Sequence, residues 1–123
     1  MPTTLEVAHR LVELCRQNQN VQAVAELFAE DAVGFFPDDA REPQKDGKEK
    51  IHATLTYFFD YHHVYSQQVD GPWLCGDEFI VRYAIERQGK FGPASAVRAK
   101  VNEVVVYTVK DGKIVRMNVF PAA

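Results

Sequence analysis

Lys100 to Pro121 reads KVNEVVVYTVKDGKIVRMNVFP, and the fold turns on it. Two apolar runs flank Asp111-Gly112. That dipeptide suits a two-residue type I′ turn, in which both central residues need φ > 0. The stretch therefore predicts a long antiparallel ribbon. An uninterrupted ladder from this turn sets Val109 opposite Ile114, Tyr107 opposite Arg116 and Glu103 opposite Phe120. Side chains alternate across a sheet, so the register sorts them into two faces. One face holds Asn102, Val104, Val106, Thr108, Val115, Met117 and Val119. The other holds Glu103, Val105, Tyr107, Ile114, Arg116, Asn118 and Phe120.

The rest of the chain supplies what this ribbon packs against. Thr3 or Thr4 caps a first helix, and Leu5, Ala8, Leu11, Val12 and Cys15 fall at spacings of three and four, one apolar stripe. Gln17 to Asn20 interrupts it, with Asn20 placed to cap a second helix that buries Val21, Val24, Ala25, Leu27 and Phe28. Ala32 to Phe36 reads as a short strand stopped by Pro37. The polar run DDAREPQKDGKEK (38–50) carries both signs of charge and reads as a solvated loop. Asp46 and Glu49 have the spacing of a capping box for a third helix, which buries Ile51, Leu55, Phe58 and Phe59. A strand from His62 to Val69 follows, with Asp70-Gly71-Pro72 as its turn, and then a strand from Glu78 to Arg87. In the latter, Phe79, Val81, Tyr83 and Ile85 form the apolar face. Helices first and strands after give an α+β domain spanning residues 1–123, a curved four-stranded antiparallel sheet wrapped on three helices.

Bulk properties narrow the function classes. With 46% apolar and 25% charged residues, 123 residues make one ordinary globular domain. A net charge of −3 argues against nucleic acid, which demands a clustered basic surface. No apolar run approaches the roughly 18 residues of a membrane span. MPTTLEVAHRL begins an amphipathic helix and lacks the apolar core of a signal peptide. Cys15 and Cys75 sit in apolar patterns and read as reduced thiols of a cytoplasmic protein.

The order helix, helix with LFAEDA, strand, loop, helix from DGKEKI, and a meander ending YTVKDGKIVRMNVF resembles the NTF2-like fold, and within it the SnoaL-like branch. The segments GPWLCGDEF (71–79) and EVVVY (103–107) add to the likeness. The resemblance implies a cone with an internal pocket. It assigns no reaction, because this fold serves isomerases, dehydratases, cyclases, epoxide hydrolases and non-enzymes. Ketosteroid isomerases of this fold use a general-base Asp before a Pro, and an oxyanion hole from a Tyr and an Asp. Those positions match Phe36, Val12, and Val104 or Val105, all apolar. A Phe abstracts no proton and a Val donates no hydrogen bond. In the cyclases and hydrolases, acids of the last strand align near Val119, which implies that the Val104, Val106, Met117 and Val119 face is the pocket face.

The expected lining is then Val12, Phe36, Leu55, Tyr57, Phe58, Phe79, Val81, Tyr83, Val104, Val106, Met117 and Val119. Three groups are candidates for chemistry: Asp38, two residues past the lost base position; His62; and Glu103, which faces outward unless a bulge turns it in. His62 and His63 point to opposite faces of a strand, so no metal site is expected, and no cofactor motif appears. The other face, with Val105, Ile114 and Phe120 among Tyr107, Arg116 and Asn118, suits a homodimer interface.

Three readings follow. The chain binds a small apolar or amphipathic molecule; it is an acid/base isomerase, lyase or cyclase on a polyketide-like or steroid-like substrate; or it is an association module without a ligand. A cavity below about 100 Å³ favours the last, since ligand pockets run ~300–1,000 Å³. Two titratable groups converging on a roomy cavity favour the enzyme.

Overall fold

The computed structural model describes residues 1–122. Helix α1 (Thr4–Arg16) opens with a capping box: the Thr3 hydroxyl accepts from the Glu6 amide, and the Glu6 carboxylate accepts from the Thr3 amide, both at 3.1 Å. Its apolar stripe, Val7, Ala8, Leu11, Val12, Leu14 and Cys15, is buried. Helix α2 (Asn20–Leu27) runs directly into β1 (Phe28–Phe35), which is longer than the expected strand. Asn20 does not cap α2; its side chain exchanges hydrogen bonds with Gln67 at 2.8 and 2.9 Å, tying the α1–α2 turn to the sheet.

The polar loop contains a three-residue strand, β2 (Gln44–Asp46). Asp46 is therefore occupied in β2 and bonded to Gln44, so the expected capping box is absent. Gly47, at φ 100, caps α3 (Lys48–Tyr61) in its place. Strand β3 (His62–Cys75) does not turn at Asp70-Gly71-Pro72. It has a register break there, another between Val64 and Ser66, and continues to the turn at Gly76-Asp77. Gly71 is needed at φ 115, where a Cβ would lie 2.9 Å from the Ile80 carbonyl oxygen. Strands β4 (Glu78–Gly89), β5 (Arg98–Lys110) and β6 (Lys113–Pro121) complete the chain, with a 3₁₀ turn at Pro93–Ala96.

All six strands form one sheet in the order β2-β1-β6-β5-β4-β3. Every pairing is antiparallel except β1 with β6, which is parallel. The expected antiparallel four-stranded meander is present, enlarged by β1 and β2.

The terminal hairpin differs from the simple ladder by one residue. Asp111 and Gly112 stand at φ 52 and 75, as a type I′ turn requires, and Val109 pairs with Ile114. Thr108 then pairs with Arg116, so Val115 is an inserted bulge residue. Beyond it Tyr107 faces Met117, Val105 faces Val119 and Glu103 faces Pro121. The bulge reverses the assignment of β5: Val105, Tyr107 and Val109 are buried against the helices, while Val104 and Val106 lie on the outer face beside Ile80. For β6 the inward Met117 and Val119 are as expected. Pairing of β5 with β4 is unbroken and sets Phe79 opposite Tyr107, Val81 opposite Val105 and Tyr83 opposite Glu103.

Phe79 sits at the centre of the core, fully buried and stacked on Tyr107 at 4.9 Å. Phe79→Ala is expected to cost ~3–5 kcal/mol, read as a lower urea midpoint at unchanged slope.

Candidate functional site

The inner faces of β4 and β5 meet α1, α2 and α3 around a cavity of about 40 Å³. Leu11, Cys15, Asn20 and Leu55 bound it from the helices, and Tyr83, Glu103, Tyr107 and Met117 from the sheet. Three polar side chains form a chain within this wall. Cys15 Sγ lies 3.6 Å from Tyr83 Oη, and Tyr83 Oη lies 2.7 Å from Tyr107 Oη. Burial holds both phenols well above their ordinary ionisation range, so they act as hydrogen-bond donors and acceptors and not as bases. Burial likewise pushes the Cys15 thiol up to about 11, against a smaller opposing effect of the Tyr83 hydrogen bond. A thiol so raised is not a nucleophile at neutral pH.

Glu103 is the one carboxyl in this wall. Burial raises its pKa above 4.5, and the negative charge of Asp38 raises it further. No protein hydrogen bond contributes to its titration among the described residues. Its position follows from the Val115 bulge, which is the condition under which it turns inward. Asp38 lies exposed on the loop after β1 and does not border the cavity; only its negative charge acts on Glu103. His62 does not border it either. It stands where α3 passes into β3, its ring stacked on Phe58 at 4.5 Å and its Nδ1 2.8 Å from the Phe58 carbonyl oxygen.

Of the expected lining, Leu55, Tyr83 and Met117 border the cavity. Phe36 and Val119 border a separate open apolar depression of about 470 Å³, shared with Phe35, Pro37, Pro43, Phe120 and Pro121. Val12, Phe79 and Val81 are core residues with 2% exposure or less. Phe58 packs on the edge of that core. Tyr57 is 64% exposed and lies in tilted ring contact with Tyr61, so its place in the lining is corrected. Val104 and Val106 are corrected for the reason already given: the bulge puts them on the opposite face. Tyr107 and Asn20 are lining residues that the uninterrupted ladder and the helix pattern did not point to; Cys15 lies on the α1 apolar stripe but was expected only as a reduced thiol. For Tyr107 a signal existed. Lys100, Asn102, Thr108 and Lys110 are polar at alternate positions of β5, which marks the other set, with Tyr107, as inward.

Residues 8–117 match the model of the SnoaL-like domain. The chain belongs to the SnoaL-like domain family. Among solved structures it is similar to a protein of Mesorhizobium loti provisionally named a SnoaL-like polyketide cyclase, with 28% identity over 97% of this chain and 99% of the other, and a TM-score of 0.88. A Xanthomonas campestris protein of unknown function with a cystatin-like fold shares 16% identity, with 99% and 92% coverage and a TM-score of 0.77. A Catenulispora acidiphila protein with a ketosteroid isomerase-like fold, solved with trimethylamine, shares 17% identity, with 96% and 86% coverage and a TM-score of 0.71. No relative was found among functionally curated proteins. No helix among the described residues is long and apolar enough to cross a membrane.

The raised Glu103 pKa has a consequence for stability. The native state holds this proton more tightly than the unfolded chain, so stability falls as pH rises from the ordinary value of 4.5 through the raised one, and the loss is complete above it. Glu103→Gln is expected to raise the urea midpoint at pH 7 and to lose that advantage at pH 4. An equal effect at both pH values would show that the carboxyl is not held in its protonated form by the fold.

Proposed function

We propose that this SnoaL-like domain is an acid/base catalyst acting on a small molecule with an enolisable carbonyl. The supporting observation is the inward turn of Glu103 opposite Tyr83, beside a hydrogen-bonded pair of phenols. Glu103 as carboxylate takes the proton next to the carbonyl. With Cys15 donating to Tyr83 and Tyr83 to Tyr107, the Tyr107 hydroxyl proton is left for the developing enolate oxygen. Hydrogen bonds running in one direction polarise one another and strengthen that last donor.

Two observations pull in different directions. The cavity, about 40 Å³, is far below an ordinary ligand pocket and favours a module without a ligand. A filled interior, however, gains nothing from a carboxyl with raised pKa, which costs stability at neutral pH. The carboxyl weighs more. The volume then sets the scale of the ligand part that enters: a carbonyl group, with the body of the molecule toward the mouth.

Deuterium exchange into cyclohex-3-en-1-one, followed by NMR, tests this reading. Glu103→Gln is expected to slow exchange by ~10²-fold or more, and Tyr107→Phe by a smaller factor. Wild-type exchange no faster than buffer would sink it and return the association module to first place.

We also propose a homodimer through the outer sheet face, in a reducing cytoplasm. The face differs from the one the simple ladder assigns: Ile80, Val104, Val106 and Phe120 supply its apolar part, with the Arg116 guanidinium 4.7 Å over the Phe35 ring. Light scattering at micromolar concentration is expected to give twice 13.9 kDa, and Val106→Glu to halve it. A wild-type mass of one chain removes the dimer.

A further inference from the structure

Arg87 is anomalous. Its Nε is buried and has no hydrogen-bond partner, the single such side-chain atom among the described residues. Buried polar groups in native proteins are almost always satisfied, and a guanidinium has five N–H donors and no way to shed its charge. No ion pair to Arg87 is found among the described residues either. Its sequence neighbour Glu86 pairs outward with Arg98.

The position of Arg87 is informative. Pairing of β4 with β5 has no break, so Arg87 shares the inner face with Tyr83 and Ile85 and lies opposite Ala99. On its other side it pairs with Val64, and His62 is the next inward residue of β3. It lies four positions beyond Tyr83, about 13 Å along the strand. Its end of the cone therefore carries a cation, an imidazole stacked on Phe58 and, among the described residues, no acid that pairs with either. Tyr61 and Phe91, both exposed and 5.8 Å apart, give this end an apolar rim.

We propose that Arg87 is the anchor for the carboxylate of an amphipathic acid whose apolar part meets the rim of Tyr61 and Phe91. The anchor stands on its own geometry and does not depend on the acid/base reading. A carboxylate satisfies Nε–H and one terminal N–H together, the bidentate geometry for which a guanidinium is shaped. The anomaly then has a cause: the donor is kept dry and unpaired for a ligand.

4-Phenylbutyrate and its neutral amide are suitable probes, titrated into the full chain while the Arg87 Nε–H resonance is followed by ¹H–¹⁵N NMR. The carboxylate is expected to shift that resonance and to bind about tenfold more tightly than the amide, the factor carried by one charge-assisted hydrogen bond. In Arg87→Met the two probes are expected to bind alike, and Arg87→Lys to restore part of the preference. An unmoved Nε–H resonance, or equal affinity of wild type for the two probes, overturns the proposal. So does a loss of stability in Arg87→Met with the preference intact, which would make Arg87 a counter-charge for the C-terminal end of α3. Glu103→Gln separates the two ideas: it is expected to retain the carboxylate preference whether or not the carbonyl chemistry exists.

Discussion

One inserted residue, Val115, governs the relation between the two strands that carry the site. Without it, the inward set of β6 would pair with Val104, Val106 and Thr108, and Glu103 and Tyr107 would lie against solvent or a partner. With it, the helices cover Val105, Tyr107 and Val109, and Phe79 finds an aromatic ring to stack on. Bulges recur at sites where a side chain must be re-aimed, because one extra residue changes direction without changing the fold. Here it places Glu103 across from Tyr83 while leaving the core filled.

The interior treats its polar groups unequally, and the inequality is instructive. Lys45, only 6% exposed, is paired with Asp39 at 2.5 Å. Asn20, 7% exposed, is satisfied by Gln67, whose amide also reaches the Cys15 carbonyl at 2.9 Å. These groups hold loops and turns in place, and they are partnered as buried polar groups ordinarily are. Glu103 and the Arg87 Nε stand apart: each faces the inside of the cone with its chemistry unspent. Proteins tolerate such local costs where something other than stability is being served.

Much of the fold was legible because its signals are local. The Thr3–Glu6 box, the stripe ending at Cys15 and the Asp111-Gly112 turn each depend on residues within one turn or one hairpin. What was not legible depended on distant pairing. Asp70-Gly71-Pro72 has the composition of a turn, yet β4 continues past it and converts it into a break within a strand. Asp46 has the spacing of a cap, yet β1 claims it as a ladder partner. The site was hidden for a related reason. Val104, Val105 and Val106 are apolar on both faces, as are Ile114 and Val115, so that stretch carries no parity. The polar alternation of Lys100, Asn102, Thr108 and Lys110 held the missing information, and Glu103 is the inward residue that breaks it.

The two ends of the sheet also constrain how copies of this chain can meet. One edge, β2, is three residues long with an acid and an amide at its exposed positions. The other, β3, is long, but it is interrupted twice, and Pro72 offers no N–H at the second interruption. Neither edge is a template on which another strand can extend the ladder. Growth in the plane of the sheet is thus closed off at both sides, and contact through the face is what remains. A face used isologously is self-complementary and finishes with two copies, so the homodimer proposed above would close on itself instead of growing into a filament.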